Sequence, residues 1–217
     1  MEIQVVARIM EANDLLAQEV RGILGANGVT AFNIMGTPGS GKTSVIERLF
    51  AALQGQVRIA AIEGDIATSL DAERLSTLGI ETVQVNTGGE CHLDAGMVKT
   101  AIAKLDLQSV DLLVIENVGN LVCPAEFDIG ESKKVMVISV PEGDDKVQKY
   151  PLMFRLADAI VINKIDLMPY VDFNRVNFHV CLADLNPNAP IFEISCSTGE
   201  NLDELTEWVR AVVSGAR

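Results

Sequence analysis

The stretch GTPGSGKT, residues 36–43, decides the fold. It satisfies the pattern G-x-x-x-x-G-K-[ST] at every fixed position. The apolar run VTAFNIMG (29–36) leads into it and reads as a strand, while VIERLFAALQG after it reads as a helix. That order is what a phosphate-binding loop requires. Its glycines let the backbone curl so that N–H groups point inward at phosphate oxygens, and the following helix adds a favourable dipole. Gly36, Gly39, Ser40, Gly41, Lys42, Thr43 and Ser44 are therefore the candidate phosphate residues. Lys42 is expected to bridge the β- and γ-phosphates, and Thr43 to place its hydroxyl on Mg²⁺. A glycine-rich turn with no ligand is the competing reading, and it leaves the match in both pattern and context to chance.

Outward from the loop, strands and helices alternate. Residues 3–24 form an amphipathic helical pattern, with Val5, Val6, Ile9, Leu16, Val20, Ile23 and Leu24 on one face. VRIAAIEGD (57–65), ETVQVNTG (81–88), VDLLVIENVGN (110–120), KKVMVISVPEGDD (133–145) and DAIVINKIDL (158–167) read as further strands that end in polar residues. APIFEISCSTGENLDELTEWVRAVV (189–213) supplies a last strand, a turn and a C-terminal helix. Most strands are apolar on both faces, which indicates a parallel sheet buried between helices. The expected fold is α/β, a P-loop NTPase with a mainly parallel, doubly wound sheet and helices on both faces. It spans 1–217 as one domain, with the 3–24 helix packed on it. Functional groups should gather at the carboxyl ends of the strands.

Composition narrows the function. A net charge of −13 argues against a nucleic-acid partner, since phosphate-backbone binding needs concentrated Lys and Arg. One local nest of N–H groups can still hold a nucleotide. No apolar run approaches the roughly 20 residues of a membrane span. With no secretory pattern either, a cytoplasmic location is expected. The 4 cysteines lack the spacing of a disulfide framework.

The base and the chemistry can be placed on the same edge. NKID (163–166) has the form Asn-Lys-x-Asp after an apolar strand. Asp166 can accept both N1–H and the 2-amino group of guanine, a bidentate contact that adenine cannot return. Asn163 can bond the base and a neighbouring loop, and the stem of Lys164 can cover the ring. Together with the phosphate loop this favours GTP over ATP. SCSTGE (195–200) would close over the base through backbone contacts at Ser195 and Cys196. Asp65 and Glu116 end their strands near the phosphate loop, where carboxylates can hold Mg²⁺ and orient an attacking water. Lys42, Asp65 and Glu116 are the candidate catalytic set, and Gly119 is placed to sense the γ-phosphate with its N–H. PEGDDKVQKYP (141–151) is polar at its centre, and Asp144, Asp145 and Lys146 are expected in nucleotide sensing or a dimer interface.

GGECHLDAG (88–96) sets Cys91 beside His92. In a regular strand adjacent side chains face opposite ways, so the two could share an ion only if the chain turns, as Gly88-Gly89 would allow. Cys123 follows a strand that ends at the same sheet edge. From spacing alone three readings stay open: a metal site, a Cys–His nucleophilic dyad, and a buried cysteine beside a surface histidine. Thiolate and imidazole would suit Zn²⁺ or Ni²⁺ far better than Mg²⁺. Cys181, Cys196 and His179 have no such company and read as packing or surface residues.

NIMGTPGSGKTSVIE, IEGDIAT, NTGGECHLDAGMV, ENVGNLVCPAEFDIGE, VPEGDDKVQKYP and NKIDL together resemble the HypB family, the nickel-incorporating GTPases of nickel–iron hydrogenase maturation. The resemblance runs over nearly the whole chain. It implies a GTP-hydrolysing metallochaperone of the SIMIBI class that binds GTP/GDP with Mg²⁺ and works as a nucleotide- or metal-dependent homodimer. It also implies a HypA-type nickel chaperone and the hydrogenase large subunit as partners, and a Zn²⁺ or Ni²⁺ site at Cys91, His92 and Cys123. Some members carry an N-terminal cysteine motif or histidine-rich tract. Here the first cysteine is Cys91, so nickel storage is not expected. Ser195-Cys196-Ser197 stands where members commonly have Ser-Ala-Lys, so no lysine contact to guanine is expected there. Two alternatives are a urease-accessory GTPase, whose metal motif is Cys-Pro-His, and a GTP-binding dimer with a purely structural zinc site.

Overall fold

The computed structural model describes residues 2–66 and 69–215, with the side chains of 2–9 left aside. In chain order it runs α1 (Glu2–Ala26), β1 (Thr30–Gly36), α2 (Lys42–Leu53), β2 (Ile59–Asp65), α3 (Leu70–Thr77), β3 (Glu81–Asn86), α4 (Ala95–Ile102) and β4 (Leu112–Glu116). It continues with α5 (Cys123–Glu126), β5 (Lys133–Ser139), α6 (Lys146–Lys149), α7 (Pro151–Leu156), β6 (Ala159–Asn163), α8 (Arg175–Leu185), β7 (Ile191–Glu193) and α9 (Leu202–Gly215). Among the described residues seven strands form one sheet, ordered β3-β2-β4-β1-β5-β6-β7. All of its pairings are parallel, so the sheet is wholly rather than mainly parallel. The one antiparallel bridge, Gly36 to Asn120, lies outside the ladders.

Parity along each strand sorts side chains between two helical layers. Phe32, Ile34, Ala61, Val114, Val137 and Val161 pack with residues of α2, α3 and α9. On the opposite face, Ala31, Ala60, Ile62, Leu113 and Ile115 meet α1 and α4. Met136, Ile138, Ile160 and Ile162 meet α7 and α8 on that same face. β1, β4 and β6 are buried throughout and β5 from Val135 onward, whereas the edge strand β3 is half-buried at its centre and exposed at both ends. The expectation of strands apolar on both faces holds for the centre and not for that edge.

The inward stripe of α1 is Asn13, Ala17, Val20 and Leu24, spaced at helical intervals. Ile23, expected on this face, is 36 % exposed, because the stripe turns past it. The side chains of Val5, Val6 and Ile9 lie outside the described residues. Asn13 is buried and bonds both ways: its amide donates to Asp128 O at 2.8 Å, and its carbonyl accepts from Ala95 N at 3.0 Å. No helix among the described residues is long and apolar enough to cross a membrane.

Candidate functional site

The parallel sheet brings the ends of β1, β2, β4 and β6 to one edge, and two adjoining cavities open there. One, of about 480 Å³, is lined by Gly39, Lys42, Thr43, Asp65, Glu116 and Gly119, among others. The second, of about 770 Å³, is lined by Asn163, Lys164, Asp166, Cys196 and Arg48, among others. Gly41, Ser44, Arg74 and Lys164 border both, so a single elongated ligand can run from one to the other.

The first cavity has the chemistry of a phosphate site. Gly41 precedes α2 with φ +95°, and a Cβ there would sit 2.3 Å from Asn163 Nδ2. Only glycine meets both demands. Gly36 and Ser40 build the loop rather than line the cavity. Gly36 accepts Asn120 N at 3.0 Å, and Ser40 is buried with its carbonyl taken by Asn163. The Lys42 ammonium lies 3.7 Å from Glu116, and Thr43 donates its hydroxyl to the same carboxylate oxygen at 3.0 Å.

Glu63, passed over in the sequence, shares this place. It pairs in register with Glu116 across β2 and β4 and is buried beside that carboxyl. Burial first, and then the Glu116 charge, push Glu63 up to about 10. Burial raises Glu116 as well, against the pull of Lys42 and Thr43. Burial thus pushes both carboxyls toward their neutral forms when nothing is bound. Glu63 Oε2 and Glu116 Oε2 are buried without hydrogen-bond partners. Unpartnered carboxylate oxygens beside a threonine hydroxyl are the hard donors that Mg²⁺ takes. Spacing could not reveal Glu63, because it lies two residues inside the strand end that carries Asp65. Only strand parity points it at Glu116.

In the second cavity Asn163 is a joint. It donates to Ser40 O at 3.1 Å and accepts both Lys164 N at 2.8 Å and Cys196 N at 3.2 Å. Lys164 takes a left-handed turn (φ +62°) and donates to Gly39 O at 2.6 Å. Ser195 donates its hydroxyl to Asp166 at 2.5 Å, and Arg48 Nε holds Cys196 O at 2.7 Å. The expected backbone contact from Cys196 to a base thus meets an amide already bonded to Asn163, since a buried N–H demands a partner.

Arg74, on α3, was also passed over. It donates to Glu47 at 2.8 Å and to Ser44 Oγ at 3.3 Å. Asp144, Asp145 and Lys146 do not line either cavity. Asp144 holds Asn177 at the start of α8, and Asp145 pairs locally with both Lys146 and Lys149. Of the two roles expected for them, the cavities lend no support to direct nucleotide sensing. The segment's link to the phosphate loop is Glu142, which accepts the Thr37 hydroxyl and holds Ser139 N at 2.7 Å.

Cys91, His92 and Cys123 converge with ligand atoms within 4.8 Å of one another, all half-buried. The chain does turn before them, with Gly88 and Gly89 at φ +65° and +107°. Cys91 Sγ and His92 Nδ1 lie 3.7 Å apart. Ligands at ordinary Zn–S and Zn–N distances stand roughly 3.3–3.8 Å from each other in a tetrahedron, so a small contraction completes three corners. His92 stacks on Phe127 at 3.9 Å between ring centroids, and burial lowers its pKa, keeping it neutral as a ligand must be. Asn120 donates to Cys123 Sγ at 3.4 Å. By contrast Cys196 is buried, and His179 pairs with Glu193 at 2.6 Å.

Comparison with known proteins follows this geometry. Residues 30–193 match the profile described as CobW/HypB/UreG, nucleotide-binding domain. A probable hydrogenase maturation factor HypB of Methanocaldococcus jannaschii is 45 % identical over 205 residues, 94 % of this chain and 93 % of that protein. A hydrogenase/urease maturation factor HypB of Helicobacter hepaticus is 42 % identical over 211 residues, 95 % of this chain and 86 % of that one. Among solved structures, HypB from Helicobacter pylori in complex with nickel superposes with a TM-score of 0.90 at 38 % identity, covering 94 % of this chain and 96 % of that one.

Proposed function

The chain belongs to the HypB branch of the CobW/HypB/UreG nucleotide-binding family, and on that premise we propose that it is a cytoplasmic GTPase metallochaperone that delivers nickel during hydrogenase maturation. The observation that carries the reading is one segment with two duties. Gly119 lines the phosphate cavity, and Cys123, four residues on, completes the metal cluster.

In this reading residues 1–217 act as one GTPase domain. The N–H groups of Gly39, Gly41, Lys42 and Thr43 cradle the phosphates, and the Lys42 ammonium offsets charge on the β- and γ-phosphates. Thr43, Glu116 and Asp65 hold Mg²⁺, which when bound neutralises charge gathering on the transferred phosphoryl group. Asp65 orients the attacking water. Asp166, fixed by Ser195, selects guanine. Nickel is cargo at Cys91, His92 and Cys123, and the three-corner site leaves a position open to water, a second subunit or a HypA-type acceptor. Hydrolysis moves the Gly119–Cys123 segment and shifts one ligand against the other two, as switch loops do.

Two measurements test this. Purified protein should hydrolyse GTP slowly, on the scale of unassisted GTPases. Its Ni²⁺ affinity, read by chelator competition, should differ between the GDP form and the form with guanylyl imidodiphosphate. Equal affinities would remove the coupling. Alanine at Cys91, His92 or Cys123 should weaken Ni²⁺ binding and spare GTP binding; loss of GTP binding in Cys123→Ala would point to a structural role. A second reading, nickel supply to urease as well, draws support from the dual name of the Helicobacter hepaticus relative.

A further inference from the structure

Cys123 is tied to the nucleotide by chain continuity, but Cys91 and His92 stand on a different loop. Their connection begins at the next residue, Leu93, which is fully buried. The Leu93 side chain lies over Gly64, where a Cβ would come within 2.7 Å of it. Gly64 separates Glu63 from Asp65, so Leu93 rests on the back of the strand whose front carries those acids. The Leu93 N–H donates to Asn117 Oδ1 at 3.0 Å. That same oxygen accepts Val118 N at 3.0 Å. Asn117 is buried and sits between Glu116 and the Gly119 segment. Consecutive residues at a strand end face opposite layers. Glu116 therefore turns to Thr43, while Asn117 turns through the sheet to the metal loop. Downstream of Leu93 the chain is pinned, with Asp94 capping α4 at Met97 N (2.7 Å) and Ala95 N held by Asn13 (3.0 Å).

We infer that Asn117 is the positioning residue that ties the Cys91–His92 half of the metal site to the nucleotide site. One oxygen joins the metal loop to the nucleotide-facing segment, so any displacement of Val118 relative to the sheet changes the anchor one residue from His92. The inference rests on the proposed coupling of GTP to metal. It predicts that both halves of the ligand set answer to the nucleotide, Cys123 through its own segment and the Cys91–His92 pair through Asn117.

The test measures Ni²⁺ affinity in the GDP and guanylyl imidodiphosphate forms of three proteins. The wild type should show a ratio of roughly fivefold or more between forms. In Asn117→Ala the ratio should fall to within about twofold of one, with Ni²⁺ and GTP each still bound. Asn33→Ala is the control. Asn33 accepts the Asn117 amide at 3.1 Å, while the Leu93 and Val118 N–H groups bond the other end of that side chain, so the ratio should persist when Asn33 is removed. A wild-type ratio near one would sink the proposed coupling itself. Coupling kept in Asn117→Ala, or lost equally in Asn33→Ala, would overturn the role of Asn117 alone. Should Asn117→Ala fail to fold, amide exchange in the wild type decides. The Leu93 and Val118 N–H groups share one acceptor, so their protection should change together when GDP is replaced by the analogue. A change in one without the other overturns the inference.

Discussion

Glu63 and Glu116 show how much a single proton can matter at the strand ends. An acid raised from 4.5 to about 10 on folding contributes stability that is fully present below its unfolded value and is lost as pH climbs toward the folded one. Nucleotide-free protein should therefore lose thermal stability from roughly pH 5 to 9. Glu63→Gln, neutral and nearly isosteric, should flatten that slope in calorimetry, and an unchanged slope would show that Glu63 is not the proton holder. At the other end of the site, Asp166→Ala should weaken GTP binding by about 1.5–3 kcal/mol, the worth of a charge-assisted contact, and leave the phosphate loop intact. A loss no greater than that of a distant surface carboxylate would remove Asp166 from the base site. That Lys42, Thr43 and Asp166 line the cavities was legible in the sequence because their spacing is set by one loop or one turn. Glu63 and Asn117 were not, because their roles depend on which face of a strand each residue takes and on a partner from another strand.

Among the elements, the strands were readable, even β3 and the three-residue β7, and the short helices were not. The strands β1, β2, β4, β5 and β6 announced themselves. Four- to six-residue helices such as α5, α6 and α7 carry too little sequence for a period to form. α8 is longer, but its apolar residues point several ways: Phe178 and Leu182 are buried, while Val176 and Val180 are exposed. α1 was recognised, yet the small residues that let it sit close, Asn13 and Ala17, carry no hydrophobic signal. α3 brings a consequence for binding. Arg74 reaches both cavities from it and now pairs with Glu47 and Asp71. In the loaded protein a phosphate can replace those exposed partners. Arg74→Ala should weaken GTP and GDP together by about 1 kcal/mol, discounted for solvent exposure, with little effect on nucleotide-free stability. Unchanged nucleotide affinity would leave Arg74 as a surface ion pair joining α2 and α3.

At the scale of the molecule, the sheet is a partition between two chemistries. Alternation sends Glu63, Asp65 and Glu116 to one side and Leu93's seat and Asn117 to the other. Sequence alone placed both sites at one edge; that Glu63 and Glu116 share one face while Gly64 and Asn117 turn to the other emerged only with the register of β2 against β4. Thermodynamic reciprocity gives this layout a whole-molecule signature: whatever factor GTP imposes on nickel binding, nickel must impose on the preference for GTP over GDP. Displacement of a fluorescent guanine nucleotide with and without Ni²⁺ should return the same ratio as the metal titration, and a mismatch would mean that the two experiments populate different oligomers. Asn163 adds the remaining constraint. By clamping the Ser40 carbonyl to the Cys196 amide, it welds the base pocket and the phosphate loop into one fixed jaw. The tips of β2 and β4, with Asp65 and Glu116, line the facing side of the phosphate cavity. If the protein hydrolyses GTP as proposed, GDP should stay held by that fixed jaw, and the movement should fall on the side nearer Cys91, His92 and Cys123.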